Sequence, residues 1–383
     1  MAALGPSDPL RSAAAGALLP AARAAAARAG VTRLADITRL DCLGLPVWQA
    51  VRPMSRALSV HQGKGATDAD AQLGALLEAV ESDSAETFGA EGPNCRFDAL
   101  PGASRGESLA DFALDRERPP AADASYRWAI AHDPISGGPI HLPFEIVSLD
   151  LTVDVPSAFD RGSNGLAAGA SRAEAITVAL MEVIERDAVT EWQTRGLLAC
   201  MADAIRLDTV PFDWLGEWRE RLHRAGVSVR IYFVPSVVDL PVFACELNDM
   251  GKTGAPYRAI QGRGCHPVPE VALFKALAEA IQARATFIAG AREDLPPATY
   301  ARRARGGMDI MFGVPPAPGM NGVDFGAVAP GPEGADAITD ALARAGYPRI
   351  AIVPLLDGGG IAVVKAFVCG LGSVHRRRRA PVA

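Results

Sequence analysis

The sequence lacks the marks of several large protein classes. Its six cysteines, Cys42, Cys95, Cys200, Cys245, Cys265 and Cys369, lie far apart, with no CxxC pair and no cysteine and histidine spacing of a structural zinc site. They read as reduced thiols of a cytoplasmic protein. Positive charge is not in excess: 38 Lys and Arg stand against 44 Asp and Glu, a net charge of −6. Nothing therefore draws the chain generally to nucleic acid or acidic membrane, and any polyanion must be held by a local site. No uncharged run reaches the ~18 residues of a membrane span. The Ala-rich N-terminus has no early basic region, and Arg11, Arg23 and Arg28 interrupt its apolar stretches, so no signal peptide is expected. A tandem repeat of fixed period is also missing. Finally, "SVHQGKGAT" is not a P-loop: Leu58 stands where the first glycine of GxxxxGK[ST] belongs and Gly65 follows Lys64, which excludes a Walker-type site.

What is present is a chain of 383 residues, 49% hydrophobic, enough for one large core or two modest ones. Residues 12–29 are mostly Ala, Leu and Arg and predict a helix stopped near Gly30. "LGLPVWQAVRP" and "ALSVHQGKGAT" read as strands, and a helix is expected from Asp68 to Glu86 with Thr67 or Asp68 as N-cap. Residues 89–139, rich in Gly, Pro and charge with weak periodicity, predict a loop-rich insertion. "FEIVSLDLTVDV" reads as strand and "SNGLAAGAS" as a small-residue loop. A long helix is expected over Arg172 to Glu191, with Ser171 and Glu174 in capping-box spacing. "VSVRIYFVPS" and "PVFACELND" read as paired strands, "VPEVALFKALAEAIQARATFIAG" as a third amphipathic helix, and "RIAIVPLLD" with "GIAVVKAFVCG" as two closing strands. This alternation predicts a mixed α/β architecture.

The helix around "VALMEVIERDAV" is apolar on nearly every side, yet Glu182, Glu185 and Arg186 share one stripe, while Asp187 points away from it. Ionised side chains in so apolar a helix must bind metal, pair with cations or line a wet cleft. "LLEAVES" repeats the device with Glu78 and Glu81, and "ALAEAIQARATF" carries Glu279, Gln282 and Arg284 among Ala and Ile. A single ExxE is usually a solvated face. Three such helices can instead converge on one cavity, where carboxylate pairs suit Mg2+, a hard cation that bridges protein to phosphates. Lys64, between two glycines, and Ser163 and Asn164, in a small-residue loop, allow close approach of a phosphate or ligand.

Taken together, "LDCLGLPVWQAVRPMSRALSVHQGKGAT", "GALLEAVE", "SNGLAAGASRAEAITVALMEVIERDAV" and "GCHPVPEVALFKALAEAIQARATFIAGAREDL" resemble the YcaO family, in the family's order from Leu40 to Leu295. The composition of the opening segment predicts a helical lead-in over residues 1–40, and the resemblance implies a YcaO domain over 41–383. Its fold would be α/β, with mixed sheets, flanking helices and a central ATP cleft without a P-loop. It also implies roles: Glu78, Glu81, Glu182 and Glu185 as Mg2+ ligands, Lys64 and Arg186 at the phosphates, and Ser59, Ser163, Asn164, Gln282 and Arg284 at the nucleotide, with Lys64, Arg186 and Arg284 acting in catalysis.

The implied activity is ATP-dependent modification of a peptide backbone amide. A nucleophile adds to the carbonyl, the oxygen takes the γ-phosphoryl group, and phosphate leaves. With external sulfide the product is a thioamide, and with a Cys, Ser or Thr side chain it is an azoline. "LGLPVWQAVRP" and "SVHQGKGAT" look most like the TfuA-associated branch, so thioamidation with a TfuA-like sulfur-supplying partner is the preferred expectation. A precursor peptide or protein would be the substrate, and a homodimer is implied by the resemblance alone. The ending "HRRRRAPVA" lacks the PxPxP tail of azoline-forming relatives, and Arg376 to Arg379 read as a solvated tail. Two departures from the family pattern, Gly74 in place of a Ser and "FVCGLGS" in place of "VPGLE", motivate the alternative of a nonenzymatic docking protein.

Overall fold

The computed structural model describes residues 4–89, 91–106, 108–153, 158–249, 259–295, 297, 300, 322–373 and 378. In chain order its elements are α1 (Ala15–Arg28), β1 (Arg33–Asp36), β2 (Val47–Val51), β3 (Val60–Lys64), α2 (Asp68–Glu86), β4 (Asn94–Arg96), β5 (Ser125–His132), β6 (Pro139–Pro143) and α3 (Phe144–Val147). Then follow β7 (Leu166–Gly169), α4 (Arg172–Gln193), α5 (Leu197–Ala202), α6 (Asp213–Arg224), β8 (Val227–Val234), β9 (Val242–Asp249), β10 (Ala259–Cys265), α7 (Pro269–Ala289), α8 (Ala335–Arg344), β11 (Ile350–Gly358) and β12 (Ile361–Val368).

The strands form three antiparallel sheets, ordered β1-β2-β3, β8-β9-β10 and β4-β5-β11-β12-β7, with β6 also paired to β5. Strand β12 is buried along its whole length between its neighbours, which is why it reads as a near-continuous apolar run, interrupted by Lys365.

Three strand and helix units organise the molecule: β3 with α2, β7 with α4, and β10 with α7. Each strand lies at the free edge of its own sheet, and each is followed by a tight connection into its helix. Thr67 caps α2 by accepting from the Asp70 N–H, and Ser171 caps α4 from the Glu174 N–H. The units are a repeat without a fixed period. "HQGKG" and "IQGRG" are near-copies in the first and third, and the glycines are required by packing. A Cβ on Gly63 would strike the Ala71 carbonyl oxygen and the Ala75 nitrogen of α2, and one on Gly262 would strike Ala276 and Ala280 of α7. Glycine lets helix and strand approach at backbone distance.

Several expectations change. The stretch 89–139 is not only loops: β4 and β5 join the six-stranded sheet, and Phe112 and Trp128 are fully buried in its core. Its weak periodicity comes from short pieces joined by turns; residues 90 and 107 lie outside the described residues. "FEIVSLDLTVDV" is not a strand. Pro143 ends β6, and the next turn is the one-turn helix α3, which buries Ile146 and Val147; Asp154 and Val155 are outside the described residues. The "LAAG" of the small-residue loop is strand β7, paired with β12. Only half of the expected capping box forms at α4, because the Glu174 carboxylate accepts from Ser12 instead of reaching back. Helices α5, α6 and α8 and strand β10 were not anticipated.

Candidate functional site

The free edges of β3, β7 and β10 and the inward stripes of α2, α4 and α7 surround one cleft of 810 Å3, within the range of small-molecule sites. Edge strands leave backbone N–H groups that must find partners. Two of them find carboxylates. Glu78 Oε2 accepts from the Gln62 N–H of β3 at 2.7 Å, and Glu81 Oε1 accepts from the Ala168 N–H of β7 at 2.7 Å. Each carboxylate is thereby fixed through one oxygen. From α4, Glu182, Glu185 and Arg186 face the same space, with Arg186 3.8 Å from each glutamate. Across the cleft, Lys64 Nζ of β3 lies 3.4 Å from Glu279 of α7.

Six carboxylates, Glu78, Glu81, Glu182, Glu185, Glu279 and Asp294, line the cleft against four cations, Lys64, Arg186, Lys275 and Arg292. The crowding shows in their proton affinities. Burial raises Glu78 and Glu185 and raises Glu81 well above the usual carboxylate range, helped at Glu81 by the charges of Glu78 and Glu182. Burial pushes Glu182 up to about 7 against the pull of Arg186. Glu279 differs: burial acts upward on it too, but Lys64, Arg186 and Arg263 outweigh burial and hold it below the usual range. It is already compensated; the other four await a cation.

These groups fit a magnesium nucleotide. Among the described residues no three His, Cys, Asp or Glu side chains form a set that could hold a metal alone. Mg2+ does not require one, since it is commonly bound through one or two carboxylates and completed by water and substrate phosphates. An anchored pair on α2 and a second pair on α4, beside Lys and Arg, supply that kind of partial donor set.

Of the residues expected at the site, Lys64, Glu78, Glu81, Ser163, Glu182, Glu185, Arg186 and Gln282 line the cleft, and Ser59, Asn164 and Arg284 do not. Ser59 gives its hydroxyl and N–H to Glu293. Asn164 lies beside the lining Ser163, its Oδ1 buried without a hydrogen-bond partner. Arg284 is turned to the other side of α7, 5% exposed, where it binds Asp41 and Asp249 at 3.0 and 3.3 Å. Helical arithmetic already separates it from Gln282, two residues away, and groups Lys275, Glu279, Gln282 and Thr286 as one stripe. That stripe is what the structure brings to the cleft. His61, Gln62, Arg292 and Asp294 also line it; short polar stretches of strand and loop gave no periodic signal for them.

Other expectations are resolved by packing. Gly74 lies outside the cleft, against Gly63: an added Cβ would come 3.2 Å from the Gly63 Cα, so a small residue serves the β3 and α2 contact. Cys369 is buried in the core of the six-stranded sheet. Arg378 is not a solvated tail residue. It forms a bidentate pair with Asp187 on the back of α4, which also accepts from the Gly372 N–H at 2.6 Å; Arg376, Arg377 and Arg379 lie outside the described residues. No described helix is long and apolar enough to cross a membrane.

A family model described as YcaO cyclodehydratase, ATP- and Mg2+-binding, matches residues 62–372. A protein of Rhizobium leguminosarum bv. trifolii named for the region 3′ of tfuA is 33% identical over 286 residues, covering 72% of this chain and 67% of its own length. A protein of Methanothermobacter thermautotrophicus is 34% identical over 294 residues, covering 72% and 70%. Among solved structures, YcaO from Methanopyrus kandleri, bound with AMPPCP and Mg2+, superposes with a TM-score of 0.72 at 22% identity over 97% of this chain and 96% of its own. A heterocyclase in complex with substrate and cofactor gives 0.72 at 20% identity over 90% of this chain, which spans 50% of that longer protein.

Proposed function

This chain belongs to the YcaO family, whose members bind ATP and Mg2+, and from that premise we propose that it activates a peptide backbone amide at the expense of ATP to install a thioamide. The observation that carries the reading is the meeting of Glu78, Glu81, Glu182 and Glu185 with Lys64 and Arg186 in one cleft without a P-loop.

Bound Mg2+ and ATP would supply the phosphoryl group that makes the amide oxygen a leaving group. The chain's residues do the rest. Glu78 and Glu81, each anchored through one oxygen, offer the other to a cation, and Glu182 and Glu185 face them from α4. Lys64 and Arg186 offset negative charge that develops on transferring oxygens. Glu279 holds Lys64 toward the centre of the cleft before ligand arrives. The four Mg2+ carboxylates work only when deprotonated. An amide carbonyl resists attack because nitrogen donates into it, which is why its oxygen must first be made a leaving group.

Thioamide formation is preferred because the tfuA-region protein is among the similar sequences, and a TfuA-like protein is the proposed sulfur supplier. Azoline formation is the second reading, favoured by the cyclodehydratase description of the family. Mass spectrometry of a peptide substrate after reaction with ATP, Mg2+ and partner separates them. A gain equal to exchanging oxygen for sulfur marks the thioamide, and a loss equal to one water marks the ring. No ATP consumption with substrate and partner present would favour a docking protein and overturn both.

A further inference from the structure

Strand β12 has two faces by the alternation of its side chains. Ala362, Val364, Ala366 and Val368 turn to the core built around α4. On the other face Ile361 and Val363 pack with α1 and α2, while Phe367 packs in the core of β5 and β6. Lys365 stands between them, at the seam of those two clusters, 2% exposed and the one charged residue of the strand. A cation buried in an apolar sheet is costly, and an uncharged side chain would fill the seam without that cost. Burial pulls the ammonium down to about 8, against the charges of Glu182 and Asp160. Lys365 does not line the cleft, so the chemistry derived above leaves it unused.

Its partner shows what it does. Lys365 Nζ donates to the Gly162 carbonyl oxygen, in the turn that leads into β7. That turn is fastened along its backbone. The Asp160 N–H donates to the Phe112 carbonyl at 3.0 Å, and the Arg161 guanidinium binds the carbonyls of Ser148 and Asp150. The Leu166 N–H donates to the Ser163 carbonyl at 2.8 Å and the Ala366 N–H to the Gly165 carbonyl at 2.7 Å. Gly165 has a φ of +78°, and a Cβ there would strike the Ala366 carbonyl oxygen, so only glycine lets the turn close on β12. What these bonds present outward is Ser163, exposed and lining the cleft. The carbonyl that Lys365 holds belongs to the planar peptide unit that leads into Ser163.

We propose that Lys365 is a positioning residue of the nucleotide site: by holding the Gly162 carbonyl it fixes the peptide plane leading into Ser163, and with it the placement of that hydroxyl at the cleft. Lys365 itself touches no ligand. The proposal rests on the nucleotide reading of the cleft.

Two measurements test it. Hydrogen–deuterium exchange of the protein without ligand reads the turn, and calorimetric titration with AMPPCP and Mg2+ reads the site. Lys365→Met, similar in length and uncharged, is expected to speed exchange over residues 162–166 by about tenfold while α2 and α4 keep their protection. It should also weaken AMPPCP binding by about tenfold, the worth of one well-made hydrogen bond. Lys365→Arg, which keeps a charged donor, restores both to within about threefold. In a Ser163→Ala background Lys365→Met costs no further affinity, which general loosening of the fold would not give. Unchanged exchange in the turn, or an equal loss of affinity with and without the Ser163 hydroxyl, overturns the proposal. Should melts show Lys365→Met unfolded, Ser163→Ala decides: binding about tenfold weaker sustains the role, and wild-type binding ends it. A wild type that does not bind AMPPCP sinks the nucleotide reading instead, and exchange still decides whether Lys365 holds the turn.

Discussion

The first and third units, β3 with α2 and β10 with α7, are built alike and charged differently. Both place a Gln-Gly-cation-Gly stretch on an edge strand, Gln62 to Gly65 and Gln261 to Gly264, and both seat a helix on its first glycine. Yet α2 presents two carboxylates raised by burial, Glu78 and Glu81, whereas α7 presents Glu279, held down by Lys64, Arg186 and Arg263, and the neutral Gln282. The middle unit keeps the paired glutamates but has Ala168 at the cation's place, and its N–H binds Glu81. One scaffold therefore yields two cation-seeking walls and one wall that organises positive charge.

The sharpest test of that division removes charge from each wall. Glu182→Gln combined with Glu185→Gln is expected to lower Mg2+-dependent ATP hydrolysis by a hundredfold or more, on the order of losing a principal electrostatic element. Glu279→Gln should cost less, roughly tenfold and mainly in KM for ATP, because it loosens Lys64 without removing a metal donor. Equal losses in steady-state assays would erase the distinction.

The back faces of the helices come next. Arg284→Met strands Asp41 and Asp249 in the core and should destabilise by about 3–5 kcal/mol, read by urea unfolding. Gln282→Ala, on the cleft side of the same helix, should leave stability nearly unchanged and affect nucleotide affinity. Gly63→Ala and Gly262→Ala should each cost about 1–3 kcal/mol, because an added methyl meets helix backbone. Similar melting shifts for the two would support equivalent packing.

The smallest effect is in pH. Glu182 is pushed up to about 7, so between its ordinary value of 4.5 and that point the folded state binds more protons than the unfolded. Stability without metal should fall as pH rises through this window. Mg2+ binds the deprotonated carboxyls, so it should raise Tm more above about pH 7 than below about pH 5. A Tm gain independent of pH would place the cation elsewhere.

Much of this division is legible in the chain. The stripes of α2 and α4 follow from charges at three- and four-residue spacing in apolar helices, and Thr67 and Ser171 mark their starts. Arg284 falls outside the site because the helical period turns it away from Gln282, its near neighbour in sequence. Long-range pairing stayed hidden. Nothing local says that β5 joins β11, or that Asp41 and Asp249 meet on one arginine, since such partners are fixed by the folded topology.

Asp187 follows Arg186 by a single residue, yet it is clasped on the opposite surface by the Gly372 amide and the Arg378 guanidinium. The rotation of that helical turn about its own axis is thus set by two residues far along the chain. Losing the Arg378 guanidinium would let the turn roll, so a change nearly two hundred residues away in sequence would be felt in the cleft without any ligand-facing atom being altered.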